Sequence, residues 1–96
     1  MLDKENIIKK IREIKPFLYS EYKVNKVGLF GSFSEGLQDA SSDIDLLIEL
    51  EKPIGWKIFT LEMYLEGLFN RKIDLVTKNA LKEPLKDKIL NQVQYV

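Results

Sequence analysis

Two aspartates separated by one residue are the first sign of chemistry in this sequence. Asp43 and Asp45 open the run DIDLLIEL at residues 43–50. Side chains two residues apart on a β-strand leave the same face of the sheet, with Cα atoms about 6.6 Å apart, so both carboxylates can reach one small region. In proteins Mg²⁺ takes oxygen ligands, usually one or two carboxylates together with substrate phosphates. The pair therefore predicts a metal site for phosphate chemistry, in which Asp45 could bridge two metal ions about 3.5 to 4 Å apart.

A third acid lies in a separate apolar run. Asp74 stands between Ile73 and Leu75 in the segment KIDLVT, so its side chain points away from those two neighbours. If the strands that carry Asp45 and Asp74 are adjacent, the third carboxylate joins the first two. A lone Asp-x-Asp is more often a turn cap followed by a solvated strand face. Aspartate is disfavoured in strands, however, and three such residues in or beside apolar runs favour a metal site instead.

A glycine and a serine could supply the other half of such a site. Gly31 and Ser32 directly follow an apolar run, and residues 33–42 separate them from Asp43. If a short helix begins here, its first backbone N–H groups are free and can bind an anion, with the Ser32 hydroxyl as a further donor. A Gly-Ser pair alone is a common turn. Together with the aspartates it predicts a place for a triphosphate, to which Arg71 and Lys72 are weaker additional candidates.

The composition narrows the chemistry that is possible. The 96 residues include no cysteine and no histidine, which excludes disulfides, a Cys/His zinc site, a cysteine nucleophile and an imidazole base. Lys and Arg number 15, as do Asp and Glu, so long nucleic acid and membranes are not expected partners. The N-terminal segment MLDKENIIKK is charged, and no run approaches the ~20 apolar residues of a membrane span. We therefore expect a cytoplasmic protein.

Seven elements must position these residues. The pattern predicts a first helix that is capped by Asp3 and has an apolar face from Ile7 to Leu18. It then predicts a strand at 24–30, a short helix, a strand at 43–50, a helix at 56–69, a strand at 72–77 and a helix from Pro84. Pro16 should bend the first helix or end it early. Several large apolar residues are assigned to the core or to an interface: Trp56, Phe59, Met63, Tyr64 and Phe69. The order predicts a single domain over residues 1–96 of the α/β (α+β) class, with helices covering one face of a small three-stranded sheet.

The segment GSFSEGLQDASSDIDL resembles the Gly-Ser, ten residues, Asp-x-Asp signature of nucleotidyltransferases related to DNA polymerase β, and KIDLVT resembles the strand of their third acid. The resemblance is closest to the minimal nucleotidyltransferases that act as antitoxins of HEPN-domain proteins. It implies a palm-like fold with a mixed sheet, in which Gly31 and Ser32 hold the nucleoside triphosphate. It also implies that Asp43 and Asp45 bind Mg²⁺, two ions with the nucleotide present, and that Asp74 completes the metal site or helps to deprotonate the acceptor.

The same resemblance implies an Mg²⁺-dependent enzyme that transfers AMP from ATP to a hydroxyl of a partner protein, a tyrosine of a HEPN toxin. One departure from the family pattern stands at Phe33, Ser34 and Glu35, where many relatives carry an arginine. It leaves open a catalytically weak antitoxin that neutralises its partner by occlusion. A third reading is a nucleotidyltransferase for a small molecule, in which a second copy of the chain would complete the acceptor pocket.

Overall fold

A computed structural model of the protein describes residues 2–96, and every predicted element is present. The helices and strands follow one another as α1 (Lys4–Tyr22), β1 (Val24–Phe30), α2 (Gly31–Glu35), β2 (Ile44–Leu50), α3 (Lys57–Phe69), β3 (Ile73–Thr77), a 3₁₀ turn (Lys78–Ala80), α4 (Leu85–Gln92) and β4 (Gln94–Tyr95). None of the helices in the described range is long and apolar enough to cross a membrane.

The strands form one mixed sheet in the order β3-β2-β1-β4. β1 runs antiparallel to both β2 and β4, whereas β2 and β3 are parallel and are connected through α3. A parallel connection of this kind needs a crossover, and α3 supplies it. The predicted mixed sheet is confirmed. The two-residue strand β4 was not predicted, because a segment this short has no alternation of its own to read.

Helices cover both faces of the sheet rather than the one face that was predicted. The larger core lies under α1 and α3, and its fully buried side chains include Ile7, Ile11, Leu46 and Leu61. On the opposite face Leu47 packs with Phe30 of β1 and Ile89 of α4. Leu47 alternates with the core-facing residues of β2 and shares a face with Asp45, and it is fully buried because α4 covers that part of the sheet.

Asp3 and Lys23 flank α1 and mark its two ends. Asp3 caps the helix as predicted, since its Oδ1 accepts the Asn6 backbone N–H at 2.9 Å. Pro16 does not end the helix, which continues to Tyr22. The chain leaves the helix at Lys23, whose φ of 59° lies in the left-handed region.

Candidate active site

Asp45 lies at the centre of the candidate site. It is the second residue of β2, where it pairs with Phe30 at the end of β1 and with Asp74 near the start of β3. Because Asp45 and Asp74 are direct partners in the sheet, both side chains leave the same face. The two acidic strands are therefore adjacent, which is the condition under which the sequence places the third carboxylate beside the first two.

The electrostatics of Asp45 reflect this position. Burial is the main reason that the pKa of its carboxyl is raised from 3.8 to about 6. The charge of Asp74 and a side-chain hydrogen bond between the two carboxyls raise the pKa further, and the charge of Asp43 adds a smaller effect. The two carboxyls thus lie side by side on neighbouring strands.

Asp43 lies at the rim of the site. It directly precedes β2, and its side chain is exposed. Within residues 2–96, no three Asp, Glu, His or Cys side chains form a preassembled metal cluster. The structure brings Asp45 and Asp74 together and leaves Asp43 beside them on the open side.

Gly31 joins the Gly31–Ser32 turn to the acids. It begins α2 with a φ of +74°, a conformation that side chains with a Cβ disfavour. A Cβ built at this position would overlap the Asp45 carboxyl, whose Oδ2 is the nearest atom and whose Cγ would be 2.9 Å away. Glycine is therefore required twice here, by the backbone and by the approach of Asp45. Sequence reasoning did not find this contact.

The N–H of Gly31 is not free, contrary to the expectation from the sequence. It donates to Oε1 of Gln92, at the end of α4, at 2.9 Å. The Ser34 hydroxyl donates to the backbone carbonyl of the same residue at 3.1 Å. Gln92 was missed because it lies 61 residues from Gly31 and nothing local marks it. Ser32 is half-buried in the first turn of α2, and its contact with a triphosphate stays a prediction.

Arg71 holds the loop that leads into β2. Its guanidinium donates to the Ser42 carbonyl at 2.8 Å and to the carbonyls of Asp39 and Ala40 at 3.4 Å. The same group lies 5.3 Å above the centre of the Phe33 ring. Arg71 is thus engaged with the protein itself, so its first role is to fix the residues just before Asp43.

The Phe33–Ser34–Glu35 segment serves the fold in two of its three positions. Phe33 is fully buried in the larger core, and Ser34 bonds to the last turn of α4. Glu35 alone is exposed. The departure from the family pattern therefore places one solvated carboxylate, and no basic group, at the end of α2.

Three of the large apolar residues of the Trp56–Phe69 segment lie on the surface rather than in the core. Trp56 is 84% exposed, Phe59 57% and Met63 71%. Tyr64 and Phe69 are half-buried and pack against the larger core. Of the five residues assigned to the core or to an interface, Tyr64 and Phe69 therefore contribute to the core, and the other three lie outside it.

A hollow of about 330 Å³ lies at the other end of the sheet, lined by Ile48, Glu49, Leu50, Glu51, Lys52, Pro53, Thr77, Lys78 and Asn79. These residues follow the acids by several positions along β2 and β3. The hollow includes none of the five candidate residues, so its shape does not bear on their chemistry.

Comparison with known proteins adds to this geometry. Residues 8–96 match the family model described as a nucleotidyltransferase domain. The protein adenylyltransferase MntA of Thermococcus cleftensis is 36% identical over 97 aligned positions, covering 100% of this chain and 98% of the relative.

Two solved structures resemble the fold closely. A structure described as a minimal nucleotidyltransferase has a TM-score of 0.79 at 28% identity, with 97% of this chain and 95% of that chain covered. A crystal structure of a toxin-antitoxin with AMP-PNP has a TM-score of 0.72 at 25% identity, with 98% of this chain and 72% of that chain covered.

Proposed function

The chain belongs to the nucleotidyltransferase domain family, and on that premise we propose that it transfers AMP from ATP to a hydroxyl group of a partner protein. The observation that carries this proposal is the meeting of Gly31, Asp45 and Asp74 at one end of the sheet. Similarity over the whole chain to a relative named for protein adenylylation supports a protein acceptor. Similarity to a toxin-antitoxin structure with AMP-PNP supports an adenine nucleotide and a toxin partner, which we assign to the HEPN family.

The acids fit a hard divalent cation. All three donors are carboxylate oxygens, and the pKa of Asp45 is raised first by burial and then by the charges of Asp74 and Asp43, which a bound cation would offset. We assign Asp43, Asp45 and Asp74 to Mg²⁺, two ions with the nucleotide present. When bound, Mg²⁺ offsets the charge of the triphosphate and polarises the phosphate that is transferred.

The chain's own residues bind the nucleotide and take up the proton that the acceptor loses. We assign the triphosphate to the turn at Gly31 and Ser32, where the Ser32 hydroxyl donates to a phosphate oxygen. As the acceptor oxygen forms its bond to the α-phosphorus, the bond from that phosphorus to pyrophosphate breaks. Asp74 is exposed and can accept the proton that the acceptor hydroxyl loses. The products are the AMP ester of the partner, pyrophosphate and one proton.

Labelled ATP, Mg²⁺ and the purified HEPN partner provide the test. We expect label on the partner with the wild-type chain and a loss of at least about a hundredfold with Asp43→Asn or Asp45→Asn. Asp3→Asn is the matched control, because it makes the same change at the cap of α1, where asparagine caps as well as aspartate.

The same experiment separates transfer from occlusion. If neither the wild type nor the variants label the partner, and both aspartate variants still neutralise the toxin fully, the protein acts as a binding antitoxin. That outcome would contradict the proposed reaction while leaving the fold and family intact.

A further inference from the structure

Gln92 connects the end of α4 to the turn at Gly31 through two hydrogen bonds. Its side-chain Oε1 accepts the Gly31 N–H at 2.9 Å, and its backbone carbonyl accepts the Ser34 hydroxyl at 3.1 Å. Both donors belong to α2, a helix of five residues whose first two are Gly31 and Ser32. Neither bond serves the core of the protein directly.

The register of the sheet explains why this side chain is in place. β1 and β4 pair antiparallel, with Gly28 opposite Tyr95 and Leu29 opposite Gln94. Two further steps in the same register bring Gln92 opposite Gly31. There the chain is still helical, so the side-chain oxygen of Gln92 takes the position that a backbone acceptor would have in a longer strand.

The residues that follow Gln92 keep it against β1. A Cβ at Gly28 would overlap the Val93 side chain, so the glycine allows the chain to run close to the strand. The Val96 N–H then donates to the Val27 carbonyl at 2.8 Å. Gln92 is therefore held by the contacts of the C-terminal segment and not by its own side chain alone.

Gly31 is in this way fixed from two sides. Its N–H faces Gln92, while the position of its missing Cβ faces Asp45. We propose that Gln92 is a positioning residue for the nucleotide, which sets the orientation of the Gly31–Ser32 turn relative to Asp45. This inference rests on the proposed function, since it assumes that the turn receives the triphosphate.

Gln92→Met tests the proposal, because methionine has a similar length but offers no amide oxygen. Binding of AMP-PNP with Mg²⁺ is measured by calorimetry, and KM and kcat for ATP are measured in the transfer assay. We expect the dissociation constant and KM to rise about fivefold, the change that loss of one neutral hydrogen bond causes. We expect kcat within about twofold of wild type, since Gln92 does not touch the reacting atoms.

Gln94→Met is the matched control, because Gln94 is exposed on β4 and pairs with Leu29 through its backbone. Unchanged nucleotide binding in Gln92→Met, or an equal loss in the control, would overturn the proposal. If the wild type itself binds no AMP-PNP, the proposed function fails instead.

Amide hydrogen exchange at Gly31 gives a readout that needs no nucleotide. Exchange should accelerate in Gln92→Met and stay slow in Gln92→Glu, which keeps an acceptor oxygen at the same reach. Equal acceleration in both variants, measured relative to the amides of the buried strands in the same protein, would show that the acceptor is not what holds the turn and would overturn the proposal.

Discussion

Gly31 shows how one residue can bring the Gly-Ser turn and the Asp-x-Asp pair into contact. Its φ of +74° starts α2, and the space beside its Cα is filled by the Asp45 carboxyl. The pairing of a Gly-Ser turn with Asp-x-Asp could be read from the sequence, since both are local patterns. The contact itself could not, because it depends on the register that places Phe30 opposite Asp45.

Gly31→Ala should therefore destabilise the protein more than the same substitution at a glycine that has a similar φ but no neighbouring side chain. We expect a loss of about 2 kcal/mol in the free energy of unfolding, since the left-handed conformation and the displaced Asp45 carboxyl both contribute. Gly36→Ala is the control, because Gly36 has a φ of +73° and nothing within 4 Å of an added Cβ. It should lose only about 1 kcal/mol. Urea unfolding measures both, and equal losses would argue against the Asp45 contact.

The charge of Asp45 predicts how stability depends on pH. Its folded pKa of about 6 lies above the ordinary value of 3.8, so the folded state binds more protons between these values. Stability in the absence of metal therefore falls as pH rises through this window. Asp45→Asn removes the cost of holding a charged carboxylate at this partly buried position, so it should stabilise the metal-free protein above about pH 6. The gain should be about 1 kcal/mol once solvent screening of a partly exposed group is allowed for.

Thermal melts from pH 3.5 to 8 check this expectation. The stability advantage of Asp45→Asn over the wild type should shrink as pH falls towards 4. A wild-type protein that gains stability relative to Asp45→Asn as pH rises from 4 to 7 would contradict the assignment.

The loop before β2 depends on a single side chain from the α3–β3 connection. Arg71 donates to three loop carbonyls and lies over the buried Phe33 ring. Asp39 stabilises the same loop from within, since its Oδ1 accepts from Ser41 and Ser42. These hydrogen bonds lower the pKa of the Asp39 carboxyl. Asp43 follows directly, so the loop sets where this acid enters the site.

Arg71→Met should loosen that loop. Methionine retains contact with Phe33 but leaves the loop carbonyls without their donor, so we expect a loss of about 1 to 2 kcal/mol in stability. Lys72→Met is the control, because the Lys72 side chain is exposed and its backbone carbonyl alone accepts the Ile44 N–H. Chemical denaturation compares the two variants. An equal loss of stability in both would show that Arg71 has no special role in holding the loop.

Helices and strands with strong periodicity were predictable, and the exceptions have physical causes. Pro16 does not end α1 although it cannot donate a backbone hydrogen bond, and the helix continues for six more residues to Tyr22. The burial of Leu47 could not be predicted, because α4 lies far along the chain and its contact with β2 leaves no local signal in the sequence. Likewise β4 forms only because β1 offers it an edge.

Ligand binding should raise the stability of the whole protein. Anything that binds the folded state alone raises the free energy of unfolding, by about 2.7 kcal/mol at one hundred times its dissociation constant. Mg²⁺ with AMP-PNP should therefore raise the melting temperature of the wild type by several degrees. Asp45→Asn should lose most of that increase and Asp3→Asn should keep it. An unchanged midpoint for the wild type at saturating Mg²⁺ and AMP-PNP would count against the site.

The central claim is that a nucleotidyl group, and not a phosphoryl group, passes from ATP to a protein. Parallel reactions with ATP labelled at the α-phosphate and at the γ-phosphate, each with Mg²⁺ and the HEPN partner, test it most directly. We predict that the partner acquires the α-label and none of the γ-label, and that Asp45→Asn transfers neither. Label from the γ-phosphate on the partner, or no α-label with the wild type, would contradict the account.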